Sequence, residues 1–349
     1  MNLLEQQASN RRRTFLVMGL FVLFFAFLGV GFDLFLLGAS EGYVPLGSLL
    51  ALGVGSASAA AGFYGGDKAV LASTGATPLL AAVETASEDD RHKLRQLQNV
   101  VDEMAIASGL PRPRVYLVPD QDPNAFATGR DPEHSSIAVT RGLLDVMSRD
   151  ELQGVIAHEM SHVRNYDIRL MTVIAALVGA IVLLADWSRR MMWLGGGRSG
   201  RSGSRSRDGG GAAMAIAFVV WLIAIILAPL LAQLLAMGVS RQREYLADAS
   251  GAELTRNPGA LADALQRIEG HAEPTRAIKR GAAHLCIADP LGRRMGLKEG
   301  FWSDLFATHP PMAKRIAALR RMAYQPATAN LAEARRAKAG GVGRSPSVS

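Results

Sequence analysis

The stretch AHEMSHVRNYD, residues 157–167, places two histidines four apart with a glutamate directly after the first. On an α-helix, positions i and i+4 stand one above the other. His158 and His162 can therefore hold one metal ion between their imidazoles, while Glu159 sits where it can reach a water at that ion. The helix has a legible start: Ser148 and Glu151 have capping-box spacing, the serine accepting from a backbone N–H and the glutamate reaching back. Leu152, Val155, Ile156 and Val163 recur at helical spacing and are expected to face a core, which leaves another face to the histidines. Two imidazoles do not complete a site, because catalytic zinc usually takes three protein ligands and keeps a fourth position open. The third is expected in SRQREYLADASGA, residues 240–252, where Glu244 and Asp248 share one helix face. One of the pair can bind the ion while the other orients a ligand imidazole from behind. His92, His134, His271 and His284 have no metal-like partner spacing and read as ordinary histidines.

Around this motif the chain of 349 residues carries four blocks too apolar for a soluble core, at 14–37, 43–64, 168–185 and 212–239. The first holds an uninterrupted apolar run from Phe15 to Phe32, close to the roughly 20 residues a helix needs to cross a bilayer. Arg11, Arg12 and Arg13 precede it as they would precede a secretory signal. The run is longer than a usual signal core, however, and a second apolar block follows after a short turn, so a retained membrane hairpin is expected. One cysteine, Cys286, excludes an internal disulfide and suits a reducing compartment. The net charge of +7 raises nucleic-acid binding, but no aromatic–basic interleaving or nucleic-acid motif accompanies it. Basic clusters beside apolar helices fit anionic lipid headgroups better.

The three arginines before the first block, against a turn at 38–42 without Lys or Arg, put the amino terminus and the region after Gly65 on the cytoplasmic side. From 67 to 167 the composition becomes that of a soluble domain. Leu94, Leu97, Val101, Met104 and Ile106 mark an amphipathic helix that stops near Gly109, Pro111 and Pro113. RVYLVPD (114–120) and SSIAVT (135–140) read as strands. The third and fourth blocks are separated by RRMMWLGGGRSGRSGSRSRDGGG (189–211), which cannot bury a core and reads as a flexible loop. If both flanking blocks span, the six arginines of this tract lie opposite the cytoplasm, against the usual bias. Spanning or deep insertion is still the expectation, because a stretch as apolar as 212–231 needs lipid or a large core. Helices follow at 240–255, 258–269 and 311–322, and the Ala/Arg/Gly/Ser-rich tail from 327 is expected to be disordered.

Several ordered motifs together resemble the HtpX family of membrane-bound zinc metalloendopeptidases, relatives of the CAAX prenyl protease. They are NRRRTF before the first block, PNAFATGR from Pro123, AVTRGLL from Ala138, HEMSH with NYD, SRQREYLAD, and THPPMAKRI from Thr308. The likeness runs from about Asn10 to Met322. It implies His158, His162 and Glu244 as ligands of one zinc ion per chain, Glu159 as general base and acid, and Asp248 as the carboxylate behind a ligand imidazole. It also implies that the strand Ile137, Ala138, Val139, Thr140 is an active-site edge to which an extended substrate pairs, with Asn124, Ala125 and Phe126 in a loop bordering the cleft. His309 is placed either to donate to the developing oxyanion or to anchor the carboxy-terminal helix, and Arg315 is read as structural. The long Arg-rich loop and the tail depart from the family pattern.

The expected fold class is α+β: a mainly helical integral membrane protein with a zincin-like catalytic domain, a small β-sheet and transmembrane helices. Its expected parts are a hairpin (1–66), a first peptidase part (67–167), an apolar helical pair with a flexible loop at 195–211 (168–239), a second peptidase part (240–326) and a tail (327–349). The expected activity is zinc-dependent hydrolysis of peptide bonds in damaged or misfolded membrane proteins, at the cytoplasmic face of a bacterial inner membrane. The expected partners are protein substrates and the bilayer, with no nucleic acid. An inactive zinc-binding scaffold is the main rival, and the intact Glu159 argues against it. A transporter would need ionisable groups within the apolar blocks, where Asp33 stands nearly alone.

Overall fold

The computed structural model describes residues 3–37, 44–195, 214–223, 241–271, 277–278, 285–288 and 310–323. His309, the turn expected at 38–42, the tract from 196 to 213 and the tail from 327 lie outside the described residues.

The apolar amino-terminal blocks form a helical hairpin. Helix α1 (Leu3–Phe32) continues through a π-helical segment (Asp33–Leu37), and α2 (Leu46–Ser73) returns beside it. Small residues set how closely the two approach. A Cβ on Gly29 would stand 2.7 Å from Ala51 Cβ, and one on Gly55 would stand 2.8 Å from Phe25 Cβ. Asp33, the acid expected to stand nearly alone among apolar residues, caps α2: Oδ1 accepts from Gly47 N at 2.8 Å and Oδ2 from Ser48 N at 2.7 Å. It thereby satisfies amides that the start of a helix leaves open.

Helix α7 (Asp167–Gly195) lies against this hairpin, with Val173 and Leu177 packed on Phe21, Phe25 and Ala59. It runs on through Arg189–Gly195, the first residues of the tract expected to be a loop. A short apolar helix, α8 (Met214–Ile223), touches the far end of α1, where Trp221 Nε1 donates to the Leu28 carbonyl at 3.2 Å. α1 and α2 are each long and apolar enough to cross a membrane, and only 22% and 17% of their most apolar windows are buried. The core helix of a soluble protein would be mostly covered. Phe15, Leu16, Leu23 and Leu50 instead point outward.

The polar half is built around one buried helix. A short β1 (Thr77–Pro78) and α3 (Leu79–Thr85) lead into α4 (Glu88–Ser108), whose N-cap Ser87 accepts from Asp90 N and whose first turn carries Glu88, Asp89 and Asp90. α4 ends at Gly109 with φ +66°, a left-handed cap that glycine adopts without strain. Leu94, Leu97, Val101 and Met104 are buried as expected, but Ile106 is 83% exposed. Two residues beyond Met104 it has turned about 200° around the axis, off the buried stripe.

Strands β2 (Arg114–Val118), β3 (Ala125–Gly129) and β4 (Ser135–Thr140) join β1 in a sheet of order β1-β2-β4-β3, with β2 and β4 parallel and β3 and β4 antiparallel. The register pairs Val115 with Ile137 and Phe126 with Ala138. Two sequence expectations are corrected here. Ile137 to Thr140 is not an edge, because β4 is paired on both sides and every residue of it is buried. Ala125 and Phe126 are not loop residues; they belong to β3, an outer strand of the sheet whose far side is bridged at Phe126 by Cys286. The alternation-poor AFATG has weak strand propensity, while the continuous apolar run of β4 is the signature of an interior strand.

After α5 (Arg141–Val146) comes α6 (Arg149–Arg164), the helix of the opening motif, followed in the second half by α9 (Arg241–Thr255), α10 (Pro258–Gly270) and α11 (Met312–Ala323). Val155, Ile156 and Met160 of α6 share one core with Leu97 and Met104 of α4, Leu261, Leu265 and Ile268 of α10, and Leu319 of α11. α10 comes very close to α6: a Cβ on Gly154 would stand 3.0 Å from Leu261 Cα. Such packing fixes the helix rigidly before any ligand is considered.

Candidate metal centre

The capping box holds the start of α6: Ser148 N donates to Glu151 Oε2 at 2.8 Å, and Ser148 Oγ accepts from Glu151 N at 3.4 Å. About two and three turns beyond Glu151, both histidines are buried. The expectation that they would occupy a separate face holds, but α9 covers that face. The two rings meet edge to face, with Nε2 of His158 3.2 Å from Nε2 of His162.

Glu244 reaches into the same point from α9. Its Oε1 lies 3.6 Å from His162 Nε2 and its Oε2 lies 3.7 Å from His158 Nε2. One ligand atom from each of the three residues falls within 4.8 Å of the others. Zinc–ligand distances near 2.0–2.1 Å give tetrahedral edges of about 3.3–3.4 Å, so the three donors are spaced as a zinc ion requires. Electrostatics agrees. Burial works to lower the His162 pKa, but the Asp167 hydrogen bond and the Glu244, Asp167 and Glu159 charges outweigh it and raise the pKa to about 9. The cluster favours a positive charge at this spot, and the donor set fits a zinc ion.

Each imidazole is backed by a carboxylate. Asp248 Oδ1 stands 3.0 Å from His158 Nδ1, and Asp167 Oδ2 stands 3.2 Å from His162 Nδ1. With a carboxylate beside each Nδ1, Nε2 is the nitrogen each ring turns toward the centre. Asp248 occupies the position expected of it. Asp167 was not singled out from the sequence, although it stands five residues after His162 in the opening stretch. Tyr166, at φ +58°, puts it there by breaking the chain sharply between α6 and α7.

Arg315 was expected to be structural and does more. Fully buried, it donates from Nε to Asp248 Oδ2 at 2.8 Å and from Nη2 to Asp248 Oδ1 at 2.7 Å, and its Nη1 lies 3.2 Å from Glu244 Oε2. Burial tends to raise the Asp248 carboxyl, but the Arg315 charge and hydrogen bond and the His158 contact hold it down to about 2. The residue is legible only as part of THPPMAKRI, since nothing in its spacing to Glu244 reveals the contact.

Glu159 is 1% exposed, and neither carboxylate oxygen has a hydrogen-bond partner among the described residues. Burial raises its pKa to about 7; Glu244 adds to the rise, while His162 and the Ala127 amide oppose it. A carboxyl group balanced near neutrality can both take and return a proton. The Ala127 amide comes from the outer edge of β3. On that edge Ala125 O accepts from Ile287 N at 2.9 Å and Gly129 N donates to Thr172 Oγ1 at 3.0 Å. Strand alternation turns Ala127, between them, to the same side. Asn124 is fully buried and ties the start of β3 to residue 288, donating from Nδ2 to the Ala288 carbonyl at 3.0 Å.

The model of peptidase family M48 matches residues 91–323, two thirds of the chain and the whole of this centre. The chain belongs to peptidase family M48. It is therefore a peptidase, and the M48 members are metallopeptidases. It is 42% identical over 320 residues to a "Protease HtpX homolog" of Thermoanaerobacter pseudethanolicus, covering 92% of this chain and 98% of the relative. It is 43% identical over 324 residues to one of Lactiplantibacillus plantarum, covering 92% of this chain and all of the relative. Among solved structures, S. mikatae Ste24p matches with a TM-score of 0.39 and 22% identity, over 70% of this chain and 51% of that one. Within this M48 chain, the structure brings together His158, His162, Glu244, Glu159 and Asp248 of the residues expected at the site.

Proposed function

We propose that this M48 peptidase is a zinc-dependent endopeptidase held in a membrane by its apolar helices. The observation that carries the reading is the convergence of His158 Nε2, His162 Nε2 and the Glu244 carboxylate, with the unpartnered Glu159 carboxylate beside them. His158, His162 and Glu244 would hold the ion. When bound, it supplies Lewis-acid polarisation of the scissile carbonyl and makes water nucleophilic near neutral pH.

The protein groups carry the remaining steps. Glu159 takes the proton of the attacking water and returns it to the leaving amine, a role that suits a pKa near 7. Asp248 and Asp167 hold the two imidazoles in register throughout. An extended substrate pairs along the outer edge of β3 at Ala127, next to the stretch where Cys286 and Ile287 already lie against Phe126 and Ala125.

The membrane part of the reading rests on the exposed apolar faces of α1 and α2 and on the contact of Trp221 with Leu28. Leu28 lies 18 residues beyond Asn10, about 27 Å along α1, whereas Asn10 itself touches Asp167 at the centre. On this reading α1 and α2 are integral membrane segments, and residues 67–167 with the described part of 240–326 make the zincin-like peptidase domain. Arg11, Arg12 and Arg13 beside that domain favour the cytoplasmic face of the bacterial inner membrane. A centre so near the bilayer suits membrane proteins, damaged or misassembled, as substrates, and hence protein quality control.

The test is metal content and casein cleavage, measured on the wild type and on Glu159→Gln after chelation and resupply of zinc. One zinc per chain in both, with cleavage by the wild type alone, supports the assignment. Zinc without cleavage in either points to the scaffold reading, and no zinc in either overturns the proposal.

A further inference from the structure

The first turns of α1 carry a polar stripe that the proposed chemistry does not use. Gln6, Asn10 and Thr14, four residues apart, are 7%, 1% and 0% exposed, while Arg11, Arg12 and Arg13 beside them face outward. Buried polar groups at the foot of an apolar helix need partners: Thr14 Oγ1 donates to the Asn10 carbonyl, and the partners of Asn10 belong to the corner between α6 and α7. Gln7 Nε2 donates to the Arg164 carbonyl at 2.8 Å. Asn10 Nδ2 spends both its hydrogens on the same corner, one on the Asn165 carbonyl at 2.9 Å and one on Asp167 Oδ1 at 2.7 Å. The Arg11 guanidinium lies over the Tyr166 ring at 4.6 Å.

We infer that Asn10 is a positioning residue of the metal centre, acting through Asp167 on the His162 imidazole. Asp167 has two oxygens and three claims on them. Oδ2 faces His162 Nδ1 at 3.2 Å, and Oδ1 is shared by Asn10 and by Arg243, whose Nε is 3.5 Å away. The short Asn10 bond fixes the plane of the carboxylate, so that Oδ2 is left for the imidazole. Without it, the strongest remaining pull on the carboxylate is the buried Arg243 cation, and the carboxylate turns toward it. The same amide pins the carbonyl of Asn165, the C-cap residue of α6 three residues beyond His162. The amino-terminal helix thereby becomes part of the frame of the centre, and metal binding is coupled to the docking of α1 on α6 and α7.

The inference rests on His162 being a metal ligand, and the test separates the two ideas. Cobalt(II) is titrated into the metal-free full chain in detergent, reading the visible ligand-field bands and competition with a chromophoric chelator. The chains compared are the wild type, Asn10→Ala, Asp167→Asn, the double variant, and Arg12→Ala as an exposed control on the same helix. Outer hydrogen-bond partners of metal ligands typically contribute 10–100-fold in affinity, so Asn10→Ala is expected to weaken binding about tenfold and shift the bands. Arg12→Ala should leave both unchanged. Because Asn10 acts through Asp167, removing it from the Asp167→Asn chain should add less than about twofold. Asn10→Asp, equal in volume but unable to donate, carries the same expectation should the alanine variant not fold. Unchanged affinity in both Asn10 variants, or losses that multiply in the double variant, would overturn the inference. A wild type that binds no cobalt overturns the metal reading as well.

Discussion

Arg315 and Asp248 meet in the interior as a two-pronged ion pair, with nitrogen–oxygen distances of 2.8 and 2.7 Å, directly behind the imidazole of His158. The pair joins α11 to α9, the helix that carries Glu244. Breaking it leaves the Asp248 and Glu244 carboxylates buried with no counter-charge from α11, a change that typically costs about 3–5 kcal/mol. Arg315→Ala should therefore lower the thermal midpoint of the metal-free protein by roughly 10 °C, at about 2–4 °C per kcal/mol. Differential scanning fluorimetry in detergent measures it, and a shift below about 2 °C would show the pair to be dispensable.

Gly251 sets the distance between α9 and α6 at the level of His158. A Cβ there would stand 3.0 Å from His158 N and 3.2 Å from His158 Cα, and backbone atoms of a packed helix do not give way cheaply. Gly251→Ala is expected to push α9 outward, carrying Glu244 away from the imidazoles. The predicted result is a loss of zinc affinity of at least tenfold with about 1–3 kcal/mol of stability, read by chelator competition and thermal unfolding.

How much of this was legible in the sequence depends on where each interaction is encoded. His158, His162 and Glu159 follow from helical periodicity alone, and the capping box announced the start of their helix. The helix of Glu244 and Asp248 was recognisable for the same reason, since four-residue spacing puts both on one face. Asp167 and Arg315 were not legible, because their roles come from a left-handed break at Tyr166 and from a helix some seventy residues downstream of Glu244. Local patterns do not record such tertiary placements. The sheet edge came from the family likeness laid on the most strand-like segment, which is the interior one, whereas the outer strand on that side contains small residues with weak preference. Ile106 failed for a simpler reason, as apolar character was followed beyond the stripe.

Glu151 gives the fold a predictable acid response. Burial tends to raise its pKa, but the Ser148 amide and hydroxyl and the Arg267 cation together hold it below the ordinary value of 4.5. A carboxyl with a lowered folded pKa contributes stability that is fully present above its unfolded pKa and is lost as the pH falls through the folded pKa. Glu151→Gln keeps the capping geometry and removes the charge. At pH 7 it should cost about 1 kcal/mol, through lost attraction to Arg267 and to the amino end of α6. The gap between wild type and variant should hold down to about pH 5 and close progressively below the ordinary glutamate value. Melting curves between pH 7 and pH 3 test this, and a gap that widens on acidification would contradict the assignment.

Ala127 offers a way to separate substrate pairing from metal binding. Its amide lies on the outer edge of β3, beside the bridge of Phe126 to Cys286 and between Ala125, which is engaged by Ile287, and Gly129, which is engaged by Thr172. Ala127→Pro removes that one donor while leaving the hydrogen bonds between β3 and β4 intact, because they lie on the opposite side of the strand. If the substrate adds to the sheet here, kcat/KM for a peptide should fall at least tenfold while zinc stoichiometry and affinity stay at the wild-type level. The Ala127 amide also works to hold the Glu159 pKa down, so its loss should move the acidic limb of the pH–rate profile upward. Stopped assays across pH 5–9 with a quenched fluorogenic peptide read both effects. Normal kcat/KM in the proline variant would place the substrate somewhere other than this edge.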